Sequence, residues 1–270
     1  MKSFTVSHNV THLWQGMKRS EGSRVTQALL GASLTPICEG DDGWVYVEGS
    51  DTYRGWTERR FLTEQPIVPN AQIWTPFADV RTRPECAASL LVRLSLGSTL
   101  LADSGDVNGW RRVTLPGGET GWVRAETLIP VTRTATEWAC ELIGTPYLWG
   151  GSSAFGLDCS GLVQLCNQLA GLSLRRDADI QRSDPRFAPV AFDDLESGDL
   201  VFFGKKDPLK ITHVGMQLDT GRFIHSAGGA GVIITEWEGD TRYAPSYIDA
   251  RRIISERASE PITRVEGEDR

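Results

Sequence analysis

One cysteine of the five stands apart by its neighbours. Cys159 lies in the run Asp158-Cys159-Ser160-Gly161, and the last two of the chain's four histidines, His213 and His225, follow it. A thiol with imidazoles downstream is the side-chain set for nucleophilic catalysis: one imidazole removes the S–H proton and a second group orients that imidazole. Ahead of Cys159 comes Tyr147-Leu148-Trp149-Gly150-Gly151, a glycine pair that lets backbone approach backbone. Behind it, Cys159, Leu162, Val163, Cys166, Leu169 and Ala170 recur at helical spacing, and Gly171 supplies the stop. Cys159 therefore opens a helix, where unpaired N–H groups and the helix dipole favour a thiolate. Asp158 opposes that charge, so a cationic imidazole is also called for. Cys38, Cys86, Cys140 and Cys166 read as small buried hydrophobes.

The strands that follow have to bring the histidines together. Leu200-Val201-Phe202-Phe203 is a short apolar run, and Ile211 to Leu218 alternates, with Val214, Met216 and Leu218 on one face and His213, Gly215 and Gln217 on the other. Asp219-Thr220-Gly221 suits a three-residue hairpin loop with Gly221 in the left-handed conformation. Such a loop pairs Leu218 with Arg222 and sets His225 opposite Gly215. His225 then shares a face with His213, diagonal to it at about 7–8 Å between backbones. A two-residue loop would separate them. The same three side chains could instead form an open three-ligand zinc site, which explains their types but not the placement of Cys159 at a helix start.

The elements ahead of this region divide the chain. Thr134-Ala135-Thr136-Glu137 has capping-box spacing before an apolar stripe of Trp138, Ala139, Leu142 and Ile143, and Gly144 is placed to end that helix. The first half repeats itself at a period of 66: Leu30-Gly31 falls on Leu96-Gly97, Gly43-Trp44 on Gly109-Trp110, Gly55-Trp56 on Gly121-Trp122, and Leu62 on Leu128. Each copy reads as short alternating strands broken by Gly and Asp/Asn turns. The recurrent Trp44, Trp56, Trp110 and Trp122 are expected mostly in cores. The expected domains are residues 1–66, 67–131 and 132–255, with linkers near 66–69 and 130–133 and a loosely attached tail over 256–270.

Composition excludes more than it assigns. A net charge of −7 over 270 residues does not suggest a nucleic-acid surface, and no stretch approaches the ~18 apolar residues of a membrane span. The first residues lack the apolar core of a secretory signal, so the chain as written is expected in the cytoplasm, or secreted had its start been trimmed. An odd cysteine count without a C-x-x-C pair fits reduced thiols. No cofactor and no resident metal are called for.

Taken together, Tyr147-x-Trp149-Gly150-Gly151, Asp158-Cys159-Ser160-Gly161-Leu162, Ser197-Gly198-Asp199-Leu200-Val201-Phe202-Phe203, His213-Val214-Gly215 and His225 resemble the NlpC-type family of papain-like cysteine peptidases. The resemblance covers residues 134–254, and the repeats ahead of it resemble bacterial SH3-like barrels. It implies an α+β papain-like catalytic domain preceded by two small all-β SH3-like domains. The implied activity is a γ-D-glutamyl-L-diamino acid endopeptidase acting on peptidoglycan stem peptides, L-Ala-γ-D-Glu-diamino acid, in wall recycling. Cys159 is then the nucleophile, His213 the base, His225 its orienting partner, and Tyr147 an oxyanion donor beside the backbone N–H of Cys159. The resemblance further implies that Asp177 pairs with the substrate ammonium, that Asp158 and Ser160 line the same pocket, and that Tyr53 and Glu21 of the first barrel close it. Ala178 and Ala32 depart from residue types common at their positions. A secreted endopeptidase or amidase on intact peptidoglycan and a non-catalytic wall-binding protein are the competing readings.

Overall fold

The computed structural model describes residues 3–17, 22–64 and 67–254. Glu21, residue 66 of the expected linker and the expected tail over 256–270 lie outside them. The described residues fall into two compact units. One holds those up to Thr132 together with Ser153–Phe155, the other Arg133–Ser152 and those from Gly156 onward.

The N-terminal unit carries two antiparallel sheets. The first contains β1 (Phe4–Val6), β2 (Val10–Trp14), β3 (Arg24–Leu29), β4 (Ser33–Glu39), β5 (Trp44–Glu48), β6 (Arg54–Glu58) and β7 (Leu62–Thr63), in the order β3-β2-β6-β5-β4-β1-β7. The second contains β8 (Ala71–Gln72), β9 (Phe77–Arg81), β10 (Leu90–Ser95), β11 (Thr99–Val107), β12 (Trp110–Thr114) and β13 (Thr120–Arg124), in the order β10-β9-β13-β12-β11-β8. The repeat is written into the backbone. β3, β4, β5 and β6 each start 66 residues before β10, β11, β12 and β13, as does the helical turn Arg59–Phe61 before Ala125–Leu128. Left-handed residues recur at the same offset: Gly31 and Gly97 (φ 85° and 88°), Asp42 and Asn108 (53° and 50°), Gly43 and Gly109 (76° and 78°).

The tryptophans depart from expectation. Of the four recurrent tryptophans Trp110 alone is buried; Trp44, Trp56 and Trp122 are half-buried. Strand alternation explains it. Along β5 and β6 the inward positions are Val45, Val47, Gly55 and Thr57, so Trp44 and Trp56 occupy the outward ones. There Trp56 packs on Tyr46 at 5.1 Å between ring centroids.

The C-terminal unit is α+β. Helix α1 (Ala135–Glu141) starts with the expected capping box, Thr134 accepting from the Glu137 N–H and the Glu137 side chain accepting from the Thr134 N–H. Trp138, Ala139 and Leu142 are buried, whereas Ile143 is 51% exposed and not part of the stripe. A short ribbon, β14 (Ser152–Ser153) with β15 (Gly156–Leu157), leads into α2 (Cys159–Leu169), and α3 (Ala178–Arg182) follows. Helix α2 is buried all round from Ser160 to Asn167, with Leu169 half-buried and Ala170 exposed, so its apolar pattern ends sooner than its spacing suggested.

The sheet of this unit contains β16 (Phe187–Val190), β17 (Leu200–Lys206), β18 (Leu209–Asp219), β19 (Arg222–Ala227), β20 (Gly231–Glu236) and β21 (Tyr247–Ile253), in the order β16-β21-β17-β18-β19-β20. Its pairings place Val201 opposite Gly215, Phe203 opposite His213 and Gln217 opposite Phe223. Val201, Phe203, His213, Gly215, Phe223 and His225 thus share one face. Against that face pack Tyr243, Trp237 and Tyr247. Among the described residues no helix is long and apolar enough to cross a membrane.

Candidate active site

Cys159 is the first residue of α2, as its spacing indicated, and Asp158 is the N-cap. The backbone before the helix is crowded to a degree that only glycine permits. A Cβ on Gly151 would meet the Gly156 carbonyl oxygen at 2.4 Å, and one on Gly161 would meet the Gly151 carbonyl oxygen at 2.1 Å. Gly150 adopts a left-handed φ of 68°. The approach turns the Gly150 N–H onto Asp158 Oδ2 at 2.8 Å, while Asp158 Oδ1 accepts from the Gly161 N–H at 2.7 Å.

A residue without an assigned role in the sequence completes this arrangement. Arg176, 1% exposed, donates to both Asp158 oxygens at 2.9 and 2.6 Å and to Ser160 Oγ at 2.8 Å. Asp158 and Ser160, expected to line a substrate pocket, are thereby committed to Arg176, to each other and to the helix start, at 7% and 6% exposure. The reason is valence: with two N–H groups, the guanidinium and the Ser160 hydroxyl upon it, the Asp158 carboxylate has no lone pair to spare. Asp177, next to Arg176, is half-buried at the N-cap position of α3 without capping it through its side chain.

The two histidines meet, by a route that differs from the expected loop. Asp219, not Leu218, pairs with Arg222, so the loop has two residues, and Gly221 is not left-handed. Leu218 forms a bulge between the Gln217 and Asp219 pairings. The extra bulge residue restores the parity that a two-residue loop alone would have lost. Gly215 leaves room, since a Cβ there would already stand 3.1 Å from the His225 Cβ. His213 Nε2 and His225 Nδ1 lie 2.7 Å apart, with the rings at 87°.

Hydrogen-bond logic assigns the tautomers. His225 Nε2 lies 2.9 Å from Thr235 Oγ1 on β20, and His213 Nδ1 has no hydrogen-bond partner among the described residues. For Nδ1 of His213 to act as a base, its proton must sit on Nε2 and donate to His225 Nδ1; His225 then carries its own proton on Nε2 and donates to Thr235. A zinc ion on both imidazoles would have to break this chain. Thr235 was not singled out by any motif, because it is brought in by the β19–β20 pairing.

Charge states follow from burial. Burial pushes the Cys159 thiol up to about 11, with Asp158 adding to it; N–H groups of Val214 and Ser160 on the sulfur and the charge of Arg176 act against it. The helix start alone therefore does not deliver a thiolate. Burial holds the His213 imidazole down at about 4, helped by Arg242 and opposed by Asp158. It holds His225 at about 3, helped by His213 and Arg242 and opposed by Asp240. Burial thus favours the neutral form of both the Cys159 thiol and the His213 imidazole. Cys159 reaches the histidine strand through the Val214 N–H, one residue from the base.

Tyr147 lies in the loop before the helix, bridged to Leu157. Burial, then the neighbouring Cys159 and Asp158, push its phenol up to about 12, so it stays protonated and able to donate. Trp149, two residues on, is 66% exposed. Tyr53 belongs to the N-terminal unit, half-buried in the turn between β5 and β6, its N–H on Asp51 Oδ1 at 3.1 Å. Among the other cysteines only Cys166 is buried. Cys38 and Cys86 are exposed and Cys140 is half-buried, because the first two sit on the surface of the N-terminal unit rather than in its cores.

Residues 144–252 match the NlpC/P60 family. The chain is 29% identical over 230 residues to dipeptidyl-peptidase 6 of Lysinibacillus sphaericus, covering 77% of this chain and 82% of that one. It is 29% identical over 254 residues to a gamma-D-glutamyl-L-lysine dipeptidyl-peptidase of Bacillus cereus, covering 85% and 75%. In fold it is similar to an NlpC/P60 family protein from Bacillus cereus, with a TM-score of 0.80 and 23% identity over 93% of this chain and 99% of the other.

Proposed function

Residues 144–252 being an NlpC/P60 domain, we propose that the chain is a cysteine peptidase of cell-wall peptides that cuts the γ-D-glutamyl to diamino-acid bond behind a free N-terminal L-Ala. The observation that carries the chemistry is the chain from Thr235 through His225 to His213, which leaves His213 Nδ1 without a partner among the described residues, in a domain where Cys159 is the thiol that opens a helix. His213 Nδ1 takes the thiol proton as sulfur attacks the γ-carbonyl of D-Glu. The Cys159 N–H at the first position of α2, where the helix itself offers no acceptor, and the protonated Tyr147 phenol are the oxyanion donors; one such donor contributes about 3 kcal/mol. The departing amine takes the proton back from His213, and water, activated by the same nitrogen, releases the acyl group.

The choice of bond is supported by two relatives whose names describe dipeptidyl-peptidases, one of them on gamma-D-glutamyl-L-lysine peptides. Release of an N-terminal dipeptide requires a free amine, and Asp177 is the proposed carboxylate for its ammonium. Arg176, locked to Asp158, fixes the backbone immediately before Asp177. In intact wall the L-Ala amine is in amide linkage, so an enzyme needing it free acts on released fragments. This supports recycling, and a cytoplasmic place for it.

The test is turnover of L-Ala-γ-D-Glu-L-Lys, its diaminopimelate counterpart and their N-acetyl forms, by wild type and Cys159→Ala. Wild type is expected to release L-Ala-D-Glu from the free peptides and to cleave the acetylated ones slower by about 100-fold or more. Equal cleavage of both forms removes the ammonium requirement. Undiminished turnover by Cys159→Ala, or none by wild type, removes the peptidase.

A further inference from the structure

Tyr243 lies against both imidazoles, far in sequence from every motif. Its ring stacks on His213 at 4.8 Å between centroids and 30° between planes, and meets His225 edge-on at 4.5 Å and 83°. The residue is 9% exposed. Phe203 and Phe223 meet its ring near-perpendicularly at 5.7 and 6.2 Å, which fixes its plane. The backbone is held as firmly: one oxygen of Asp240 accepts the N–H groups of Tyr243 and Ala244 at 2.7 and 2.6 Å, and the other accepts that of Arg242 at 3.2 Å.

We propose that Tyr243 is a positioning residue for the base, its π face carrying the imidazolium that His213 becomes on taking the Cys159 proton. The inference rests on the peptidase reading above. An aromatic face is negative and attracts a cation centred over it, whereas a neutral ring in the same place gains only dispersion. The stack therefore strengthens as the proton moves, and an interaction stronger in the transition state than in the ground state raises kcat rather than lowering KM. The site otherwise makes the imidazolium costly: burial disfavours the charge and Arg242, whose guanidinium stands 5.1 Å from the Tyr243 ring centroid, is of like charge. The charged and titratable groups that act on His213 and on the two rings against it, His225 and Tyr243, are Cys159 and Asp158 at the start of α2, Tyr147 in the loop before it, and Asp240 and Arg242 after β20. Asp158 and Asp240 are the anions among them, Asp158 already paired with Arg176 and Asp240 held by the backbone N–H groups of Arg242, Tyr243 and Ala244.

A residue that merely covered His213 would act in the opposite sense. Cover removes water and holds the imidazole neutral, so its loss would let His213 titrate nearer the ordinary 6.5. Loss of a π partner makes the imidazolium harder to form and moves titration further down. Tyr243→Phe keeps the ring and Tyr243→Leu removes it while filling much of the volume.

The experiment measures kcat, KM and the NMR titration of the His213 ring in full-length wild type, Tyr243→Phe and Tyr243→Leu, with L-Ala-γ-D-Glu-L-Lys as substrate. Tyr243→Phe is expected to stay within about twofold of wild type. Tyr243→Leu is expected to lose kcat by about tenfold or more with KM within about twofold, and His213 to titrate at lower pH. Unchanged kcat in Tyr243→Leu, an equal loss in Tyr243→Phe, or a His213 titration moving up overturns the proposal. Should Tyr243→Leu fail to fold, wild type alone decides: ring-current shifts must move the His213 ring protons upfield, and their absence overturns the stack. Wild type that cleaves no peptide counts against the peptidase reading, while the two NMR readouts still judge Tyr243.

Discussion

The two sides of the reacting pair are built from opposite materials. Around Cys159 the neighbours are ionic and main-chain: Asp158, Arg176, Ser160 and the amides of Gly150 and Gly161, joined by bonds of 2.6–3.3 Å. Around His213 and His225 they are rings: Phe203, Phe223 and Tyr243, with centroids 4.5–5.8 Å away. The difference reflects what each group has to supply. The thiol side must hold backbone N–H groups where an oxyanion will form, and directional bonds to a buried carboxylate fix a backbone better than contact does. The imidazole side must keep a base unprotonated and a ring in one plane. Phe203 and Phe223 do both without adding a charge, while the Tyr243 face favours the imidazolium once the proton moves.

Breaking the ionic side is expected to have the largest effect. Arg176→Met leaves the Asp158 carboxylate buried without its cation, and truncating one partner of such a pair costs about 3–5 kcal/mol. The pair is well enclosed, with side-chain exposures of 1% and 10%. Chemical denaturation is expected to show a large drop in midpoint, with activity lost in the same variant. A midpoint near wild type would mean that Asp158 and the helix start are held by the glycine backbone alone.

A small change on the imidazole side sharpens the same contrast. Thr235→Val removes the hydroxyl from His225 Nε2 and is nearly isosteric. It is expected to lower kcat severalfold, on the order of one neutral hydrogen bond of about 1 kcal/mol, with little change in the denaturation midpoint. If the histidine side tolerates the loss of Thr235 without any change in kcat, the hydrogen-bond chain does not set the tautomer of His213.

The sequence carried the thiol, the glycine approach and the meeting of the histidines, because each rests on short-range rules: helix spacing, the absence of a Cβ, and strand parity. Strand parity puts both histidines on the expected face, but the turn that does so is not the expected one. A two-residue loop and a bulge at Leu218 add up to the same offset as a three-residue loop, and only the backbone tells them apart. Arg176 stood in plain view but its partner Asp158 lies 18 residues away, across a helix whose course periodicity does not give. Thr235 and Tyr243 come from the strand and turn after His225, where no motif marks them. The tryptophans of the repeat were misjudged for a related reason. Recurrence shows that a position matters to the repeat, not which side of the strand it faces.

The central claim is that the site rests as a neutral thiol beside a neutral imidazole, and an NMR pH titration of the histidine rings in the free enzyme tests it most directly. Both values lie below the ordinary histidine range, so the folded protein should bind these protons late as pH falls. His213 is expected to stay neutral until about pH 4 and His225 until about pH 3. A His213 that titrates near the ordinary value of about 6.5, or that is protonated beside a Cys159 thiolate at neutral pH, would contradict the account.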